Sequence, residues 1–351
     1  MKGVTVEKPG APFVVVDDLE IPEPGDDQIL VKSIATAIDP VEGYMQGTGL
    51  LITAWPIVLG CDASGVVVKA GTAAASKFKP GDRVCGCTRL GIPGYCTFQE
   101  YFLMDTNLVI PTPKSFSFNE AAALGVGAET ACLGLLHGIK LEQNPTPKDI
   151  WVVVFGGAGS IGQYSIQIVK ALGYKVVATC SKRTADLVTS TGADAVIDYS
   201  LSEDEQIAEL KKITEGKFFG VWDSVAKTEK VGRRALQEVS SYKEGKVYAT
   251  TDDWTPMENY DDHTTFRVEL GLIGRSEEEM KAARLLGDSP TLNEDIAGDI
   301  KLIHDLAEKG QLKPNPLQVI KGGFEAIAGA FELQQKGTKG GEKVIVEIQP
   351  E

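Results

Sequence analysis

The chain is short of the residues that most often carry catalysis or cross-linking. Its 351 residues include three histidines, His137, His263 and His304, and six cysteines. No two cysteines form a C-x-x-C pair, so neither a four-cysteine structural zinc lobe nor a disulfide framework is expected, and reduced thiols point to a cytoplasmic home. No basic cluster offsets the formal net charge of −14, which argues against nonspecific binding of nucleic acid. The N-terminal MKGVTVEKPGAPFVVVDD lacks a hydrophobic signal segment, and no apolar run reads as long enough to span a bilayer, so no membrane association is expected. Internal repeats and low-complexity tracts are also missing. What remains is ordinary for a globular protein: 43% hydrophobic residues, 24% charged, and enough length to bury two cores.

The most informative stretch is Ile150–Arg183, IWVVVFGGAGSIGQYSIQIVKALGYKVVATCSKR. An apolar, β-branched run enters the turn Gly156-Gly157-Ala158-Gly159-Ser160-Ile161-Gly162, with Gly157, Gly159 and Gly162 in G-x-G-x-x-G register. Ile161, Ser165, Ile168 and Val169 follow at helical spacing, Gly173 stops the helix, and Lys175–Thr179 reads as a second strand. Strand, glycine turn, helix and strand form the setting in which bare N–H groups at a helix N-terminus receive a dinucleotide pyrophosphate. A glycine turn that merely packs a helix on a sheet is the bland alternative.

A second absence refines this reading. An NAD-selective fold carries Asp or Glu about 20 residues past the glycines, bonded to the ribose 2′-OH. Here the strand ends in Thr179-Cys180-Ser181-Lys182-Arg183. A hydroxyl followed by two cations suits a 2′-phosphate that a carboxylate would repel, so NADPH is expected, with Ser181, Lys182 and Arg183 as its ligands. The competing reading has Lys182 and Arg183 opening a solvated helix. Tyr199, beyond a third strand AVID, is placed against the adenosine or in ordinary packing.

Before residue 120 the chain reads as short strands punctuated by Gly, Pro and Asp: Phe13–Asp17, Gln28–Ala35, Gly65–Ala70, Arg83–Gly86 and Leu108–Ile110. Helix is expected over Asn119–Ala123 and Ala128–Ile139, then alternating strands and helices from residue 150, and a closing strand Lys343–Ile348. The fold class is therefore α/β: a β-rich domain over residues 1–125 and 270–351, and a doubly wound Rossmann domain over 126–269.

Landmarks in order along nearly the whole chain resemble the medium-chain dehydrogenase/reductases: Gly60-Cys61-Asp62-Ala63-Ser64-Gly65, Lys79-Pro80-Gly81-Asp82-Arg83-Val84, Glu120-Ala121-Ala122-Ala123-Leu124, the glycine turn, and Gly341-Glu342-Lys343-Val344. The resemblance implies that the first domain is GroES-like. Asp39-Pro40-Val41-Glu42-Gly43-Tyr44-Met45-Gln46-Gly47 looks like the quinone-oxidoreductase (zeta-crystallin-like) signature. Leu270-Gly271 and Gly322-Gly323-Phe324 look more like the fungal trans-acting enoyl reductases and their ToxD-like relatives. In the metal-dependent alcohol dehydrogenases of this superfamily, zinc needs a first-lobe Cys and a Gly-His-Glu motif. This chain has Ile38-Asp39-Pro40 and Gly60-Cys61-Asp62 there, so no catalytic metal is expected and Cys61 reads as a core thiol.

Without zinc to hold alkoxide charge, and with no Tyr-x-x-x-Lys pair expected to take its place, a conjugated acceptor is the natural substrate. Hydride enters the β-carbon of an enone or enoyl thioester, or enters a quinone, and one or two hydrogen-bond donors hold the enolate oxygen. The resemblance implies Tyr44 and Thr130 as the catalytic pair. Tyr44 would bond the carbonyl or pass a proton, where the polyketide enoyl reductase pattern has Lys, and Thr130 would lie near the nicotinamide ribose. Each has a plainer reading, as pocket lining or as a helix-interior threonine. Ser224, Val225 and Thr250, at carboxyl ends of Rossmann strands, together with Leu270, Gly271 and Lys343, complete the expected cofactor contacts. The substrate cleft is expected between the domains, lined by Tyr44, Met45, Leu50, Trp55, Leu270 and Ile273 and suited to a small hydrophobic conjugated carbonyl or quinone. Glu258–Thr265 reads as a polar surface loop. A homodimer paired along a Rossmann edge strand near Phe266–Leu272 is a further implication of the resemblance.

Three functions stay open on sequence alone. The first is an NADPH-dependent, zinc-independent quinone or enone reductase. The second is a trans-acting enoyl reductase of a polyketide-type pathway, which needs a carrier-protein partner. The third is a catalytically weak, crystallin-like nucleotide-binding protein.

Overall fold

The computed structural model of the chain describes residues 1–144, 146–282, 291–338 and 340–349. The second half of the chain builds a six-stranded, wholly parallel sheet. Its strands are Trp151–Phe155, Lys175–Cys180, Ala195–Asp198, Phe218–Asp223, Val247–Thr250 and Thr264–Arg267, in spatial order third, second, first, fourth, fifth, sixth. The order reverses between the first and fourth strands, and a crevice opens there at the strands' carboxyl ends. These strands are near-continuous apolar runs because helices cover both faces of the sheet. Trp222, fully buried, spans from the sheet to the helix Ser160–Ala171, where its indole N–H donates to Ser165 Oγ at 2.8 Å. The hydroxyl that interrupts that helix's apolar face is therefore satisfied inside the core.

The GroES-like half is built on the ten-residue strand Gln28–Ala37. Asp62–Ala70 flanks it antiparallel on one side. On the other side Tyr101–Asp105 pairs with its first half and Lys343–Glu347 with its last residues, Ala35–Ala37. Leu317–Lys321 then adds to Lys343–Glu347 in parallel. The C-terminal segment thus returns to the first sheet, as its closing Gly-Glu-Lys motif suggests. A small sheet of Val14–Val16, Gly3–Val6 and Ile57–Val58 lies beside it.

Several boundaries differ from the sequence reading. The helix Pro40–Thr48 stands in what reads as an irregular stretch. Its start is locally coded: Asp39 precedes Pro40 at the first helical position, and Glu42 accepts the Asp39 N–H at 2.7 Å. Gly49, with φ of 81°, ends it. The edge strand expected near 266–272 is Thr264–Arg267, and Leu270–Leu272 has already turned into a 3₁₀ helix. The segment 258–265 is accordingly not all surface loop: it ends inside that strand, and His263 is buried beneath it. Phe118–Gly138 is a helical run long and apolar enough to cross a bilayer, contrary to the sequence reading, but 89% of its apolar 18-residue stretch is buried within the fold. Gly134 explains the close fit, because a Cβ there would lie 2.4 Å from the Trp222 ring. It is a core helix.

Candidate active site

The crevice at the sheet's reversal point continues between the two halves as a cleft of about 840 Å³. Its floor is the glycine turn. Gly156 has φ of 87°, a conformation that favours glycine. A Cβ on Gly162 would meet the Gly156 carbonyl oxygen at 2.2 Å and Gly157 Cα at 2.8 Å, so only glycine lets the helix start this close to the strand. Thr179 holds the turn from the neighbouring strand: its hydroxyl accepts the Gly156 N–H at 3.0 Å and its carbonyl accepts the Gly157 N–H at 2.8 Å. No side chain caps the helix Ser160–Ala171 at Gly159. Uncapped N–H groups over a floor that a Cβ would fill fit a dinucleotide pyrophosphate.

At the next strand end, Ser181 hydrogen-bonds Thr184 at 2.9 Å and starts a short 3₁₀ turn. Lys182 and Arg183 are exposed, as is Tyr199, whose N–H bonds the Cys180 carbonyl at 3.1 Å and so lies directly across from them. Four of the expected 2′-phosphate and adenosine contacts are thereby brought together. One carboxylate intrudes: Asp198 Oδ2 is 3.8 Å from the Lys182 ammonium, a long contact in which the lysine end is solvated while the Asp198 side chain is largely buried. Its pKa is lowered first by N–H donation from Ser200.

The cleft walls carry Tyr44, Leu50, Thr130, Gly159, Ser160, Ile161, Ser224, Val225, Leu270, Gly271 and Lys343. Ser224 donates to the Phe155 carbonyl at 2.6 Å and stands against the glycine turn. Thr250 itself is fully buried and accepts the Asp252 N–H at 3.0 Å; Thr251 and Asp252 line the wall in its place. Three expected lining residues lie elsewhere. Met45 is wholly buried, because successive helix residues point about 100° apart and Tyr44 takes the outward direction. Ile273 is likewise buried in the core, and Trp55 packs partly buried against that core, outside the cleft.

Other residues at the cleft were not foreseen. Trp254 packs on Tyr44 with ring centroids 5.6 Å apart and a 40° tilt, and both rings are half exposed. Asp252 and Asp253, immediately past a parallel strand, stand where ligands bind in such sheets, a signal the sequence did contain. Asp39 and Lys343 form an ion pair in which both side chains are almost fully buried. The pair lies at the cleft wall, and nothing local could have announced a contact between residues 304 positions apart.

Around Asp39 the structure gathers possible metal-ligand atoms, although the sequence reading expects no metal there. Asp39, Glu42 and Cys61 place ligand atoms within 4.8 Å of one another. These atoms are already committed. Glu42 accepts the N–H groups of Asp39 and Cys61 and, at 3.3 Å, the Cys61 thiol, while Asp39 holds the Lys343 ammonium. Burial, then the Asp39 charge, pushes the Glu42 carboxyl well up, and burial does the same for Asp62. Lys343 thus brings a positive charge into this group of buried carboxyls. A Tyr-x-x-x-Lys spacing does occur, at Tyr242–Lys246, but Tyr242 packs on Phe219 and Lys246 bonds Asp262 and the Leu236 carbonyl, away from the cleft.

Fold and cleft together define a two-domain nicotinamide-dinucleotide oxidoreductase. Residues 25–114 match the alcohol dehydrogenase GroES-like domain and residues 160–240 the zinc-binding dehydrogenase family. The chain is 30% identical over 350 residues to a trans-enoyl reductase of Aspergillus clavatus, covering 95% of this chain and 92% of that one. It is also 30% identical over 347 residues to the enoyl reductase component of lovastatin nonaketide synthase from Aspergillus terreus, covering 92% and 90%. Among solved structures, a putative zinc-dependent alcohol dehydrogenase from Rhizobium etli superposes with a TM-score of 0.79 at 23% identity, over 99% of this chain and 98% of that one. A quinone oxidoreductase of Pseudomonas syringae superposes with a TM-score of 0.74 at 22% identity, over 98% and 99%. The chain belongs to the medium-chain dehydrogenase/reductase superfamily, alongside these trans-enoyl reductases.

Proposed function

We propose that the protein is an NADPH-dependent, zinc-independent reductase that delivers hydride to the β-carbon of an electron-poor C=C or to a quinone. The observation that carries this reading is a cleft in which the glycine turn, an apolar wall of Leu50, Leu51, Leu90 and Val126, and the hydroxyls of Tyr44 and Thr130 meet beside a buried lysine. The bound coenzyme supplies the hydride. The protein's own part is to seat the pyrophosphate on the glycine turn, hold the 2′-phosphate with Ser181, Lys182 and Arg183, and exclude water with the apolar wall. Tyr44 and Thr130 donate hydrogen bonds where charge develops on the acceptor oxygen and around the nicotinamide. Kinship with trans-enoyl reductases favours a second reading, an enoyl thioester presented by a carrier protein. A homodimer along the edge strand Thr264–Arg267 is compatible with either.

The test is NADPH oxidation with 9,10-phenanthrenequinone, an alkyl enone and an enoyl thioester in parallel. Turnover of quinone and enone supports the first reading, thioester preference the second, and tight NADPH binding without turnover of any acceptor removes both.

Coenzyme choice is tested separately. Arg183 is exposed and forms no ion pair among the described residues, so Arg183→Glu places a carboxylate against the 2′-phosphate without unfolding anything. Two charge-assisted contacts at about 1.5 kcal/mol each are at stake, so the NADPH:NADH ratio of kcat/KM should fall about 100-fold. An unchanged ratio would locate the 2′-phosphate elsewhere.

A further inference from the structure

We infer that Asp253 is the acid that protonates the reduced substrate. The inference rests on the conjugate-reductase reading above and adds the residue that completes it.

Four described carboxylic side chains line the cleft: Asp39, Asp252, Asp253 and Glu342. Three are occupied. Asp39 is held by Lys343. Asp252 folds its own turn, accepting the N–H groups of Trp254 and Thr255 at 3.3 and 2.9 Å. Glu342 accepts the Gly340 N–H at 3.2 Å. Asp253, among the described residues, takes a hydrogen bond from its own backbone N–H alone.

Its placement is built, not incidental. The strand Val247–Thr250 delivers the chain to the crevice edge. The Thr250 hydroxyl then catches the Asp252 N–H, and Arg267 on the adjacent strand donates to the Asp252 carbonyl at 2.8 Å. This anchored turn sets Trp254 against the half-exposed Tyr44 and leaves Asp253, 8% exposed, on the wall of the same cleft. Burial pushes the Asp253 carboxyl up to about 7, with Glu269 and Asp252 reinforcing and Arg267 opposing. The other titratable or charged groups at the cleft are Tyr44, Lys227, Asp39, Lys343 and Glu342. A carboxylic acid that is half protonated near neutral pH can give a proton and recover one from water within a turnover.

The step balances. Hydride from the coenzyme forms the C–H bond at the β-carbon, and the C=C π pair moves into the enolate. That pair then takes the proton at the α-carbon as the Asp253 O–H bond breaks. Asp253 is left as a carboxylate and regains its proton from solvent.

The experiment uses the full chain, Asp253→Asn and Tyr44→Phe. In D₂O the wild type should place deuterium on one face of the α-carbon, and kcat should fall as pH rises through about 7, because the acid form is the donor. Asp253→Asn should lose at least ten-fold in kcat, lose that pH dependence and scramble the α-deuterium, while the β-carbon still receives its label from (4-²H)NADPH and NADPH affinity is unchanged. A readout independent of turnover comes from infrared spectra of the substrate-free protein. A protonated-carboxyl band should disappear with a midpoint near pH 7 in the wild type and be missing from Asp253→Asn. Face-selective deuteration retained in Asp253→Asn but lost in Tyr44→Phe would overturn the assignment, as would an unchanged infrared titration. If the wild type reduces no conjugated acceptor, the parent reading falls and Asp253's role falls with it.

Discussion

Gly162→Ala should weaken NADPH binding at least ten-fold while leaving the far-ultraviolet circular dichroism spectrum close to that of the wild type. A new Cβ would lie 2.2 Å from the Gly156 carbonyl oxygen and 2.8 Å from Gly157 Cα, both backbone atoms that cannot rotate away. The helix Ser160–Ala171 must therefore lift off the strand Trp151–Phe155. Overpacking of this kind costs about 1–3 kcal/mol, and here the displaced group is the phosphate-binding helix terminus itself. Each 1.4 kcal/mol is ten-fold in affinity. Gly298→Ala is the matched control. It sits on the helix Leu292–Glu308 with no atom of the described residues within 4 Å of a Cβ, so it should leave affinity alone and raise Tm slightly through helix propensity. Fluorescence titration with NADPH checks both. Wild-type affinity in Gly162→Ala would mean that the pyrophosphate does not rest on this turn.

That prediction draws on a feature readable in the sequence because all its parts are local. Strand, turn and helix lie within 25 residues, and each obeys its own periodicity, so Trp151–Phe155 and Ser160–Ala171 fall almost where the pattern puts them. The same locality should have revealed Pro40–Thr48, whose Asp39-Pro40-Val41-Glu42 start is a complete capping signal. Met45 lies in the core rather than the cleft because that helix's period turns it away from Tyr44. Leu317–Lys321 and the helix Ile327–Lys336 are half-exposed and carry weaker apolar patterns, so nothing in that stretch pointed to a parallel pair beside the long central strand. The cleft was legible only in part for a different reason. Tyr44, Thr130 and the glycines are marked by resemblance, but Asp253 acquires its character from burial beside Glu269, which follows from tertiary packing. The clustering of Asp39, Glu42, Cys61 and Lys343 likewise depends on the return of the C-terminal strand to the first sheet.

The return of that strand leads to the second large effect, in Lys343→Met. Burial alone would lower the lysine's pKa, but Asp39 and then Asp62 carry it above the usual value, so the ammonium is the charge that lets this acidic pocket fold. Asp39 and Lys343 are each about 95% buried or more. Removing one partner of such a pair leaves an uncompensated charge, and the variant should lose about 3–5 kcal/mol of stability in urea unfolding. The loss should be larger at pH 8 than at pH 5. Lys343 pulls down the raised carboxyls of Glu42 and Asp62. Without it the native state keeps protons that the unfolded chain has released, so stability falls as pH rises from about 4. Combining Lys343→Met with Asp39→Asn should recover most of the loss, because a neutral pair carries no desolvated charge, and the double-mutant cycle should give a coupling of at least about 2 kcal/mol. Restored stability need not restore catalysis. The double variant folds without the positive charge at the cleft wall, so its NADPH affinity should stay below that of the wild type. If it regained full affinity, Lys343 would be a purely structural ion pair and the buried cation would have no part in holding the coenzyme.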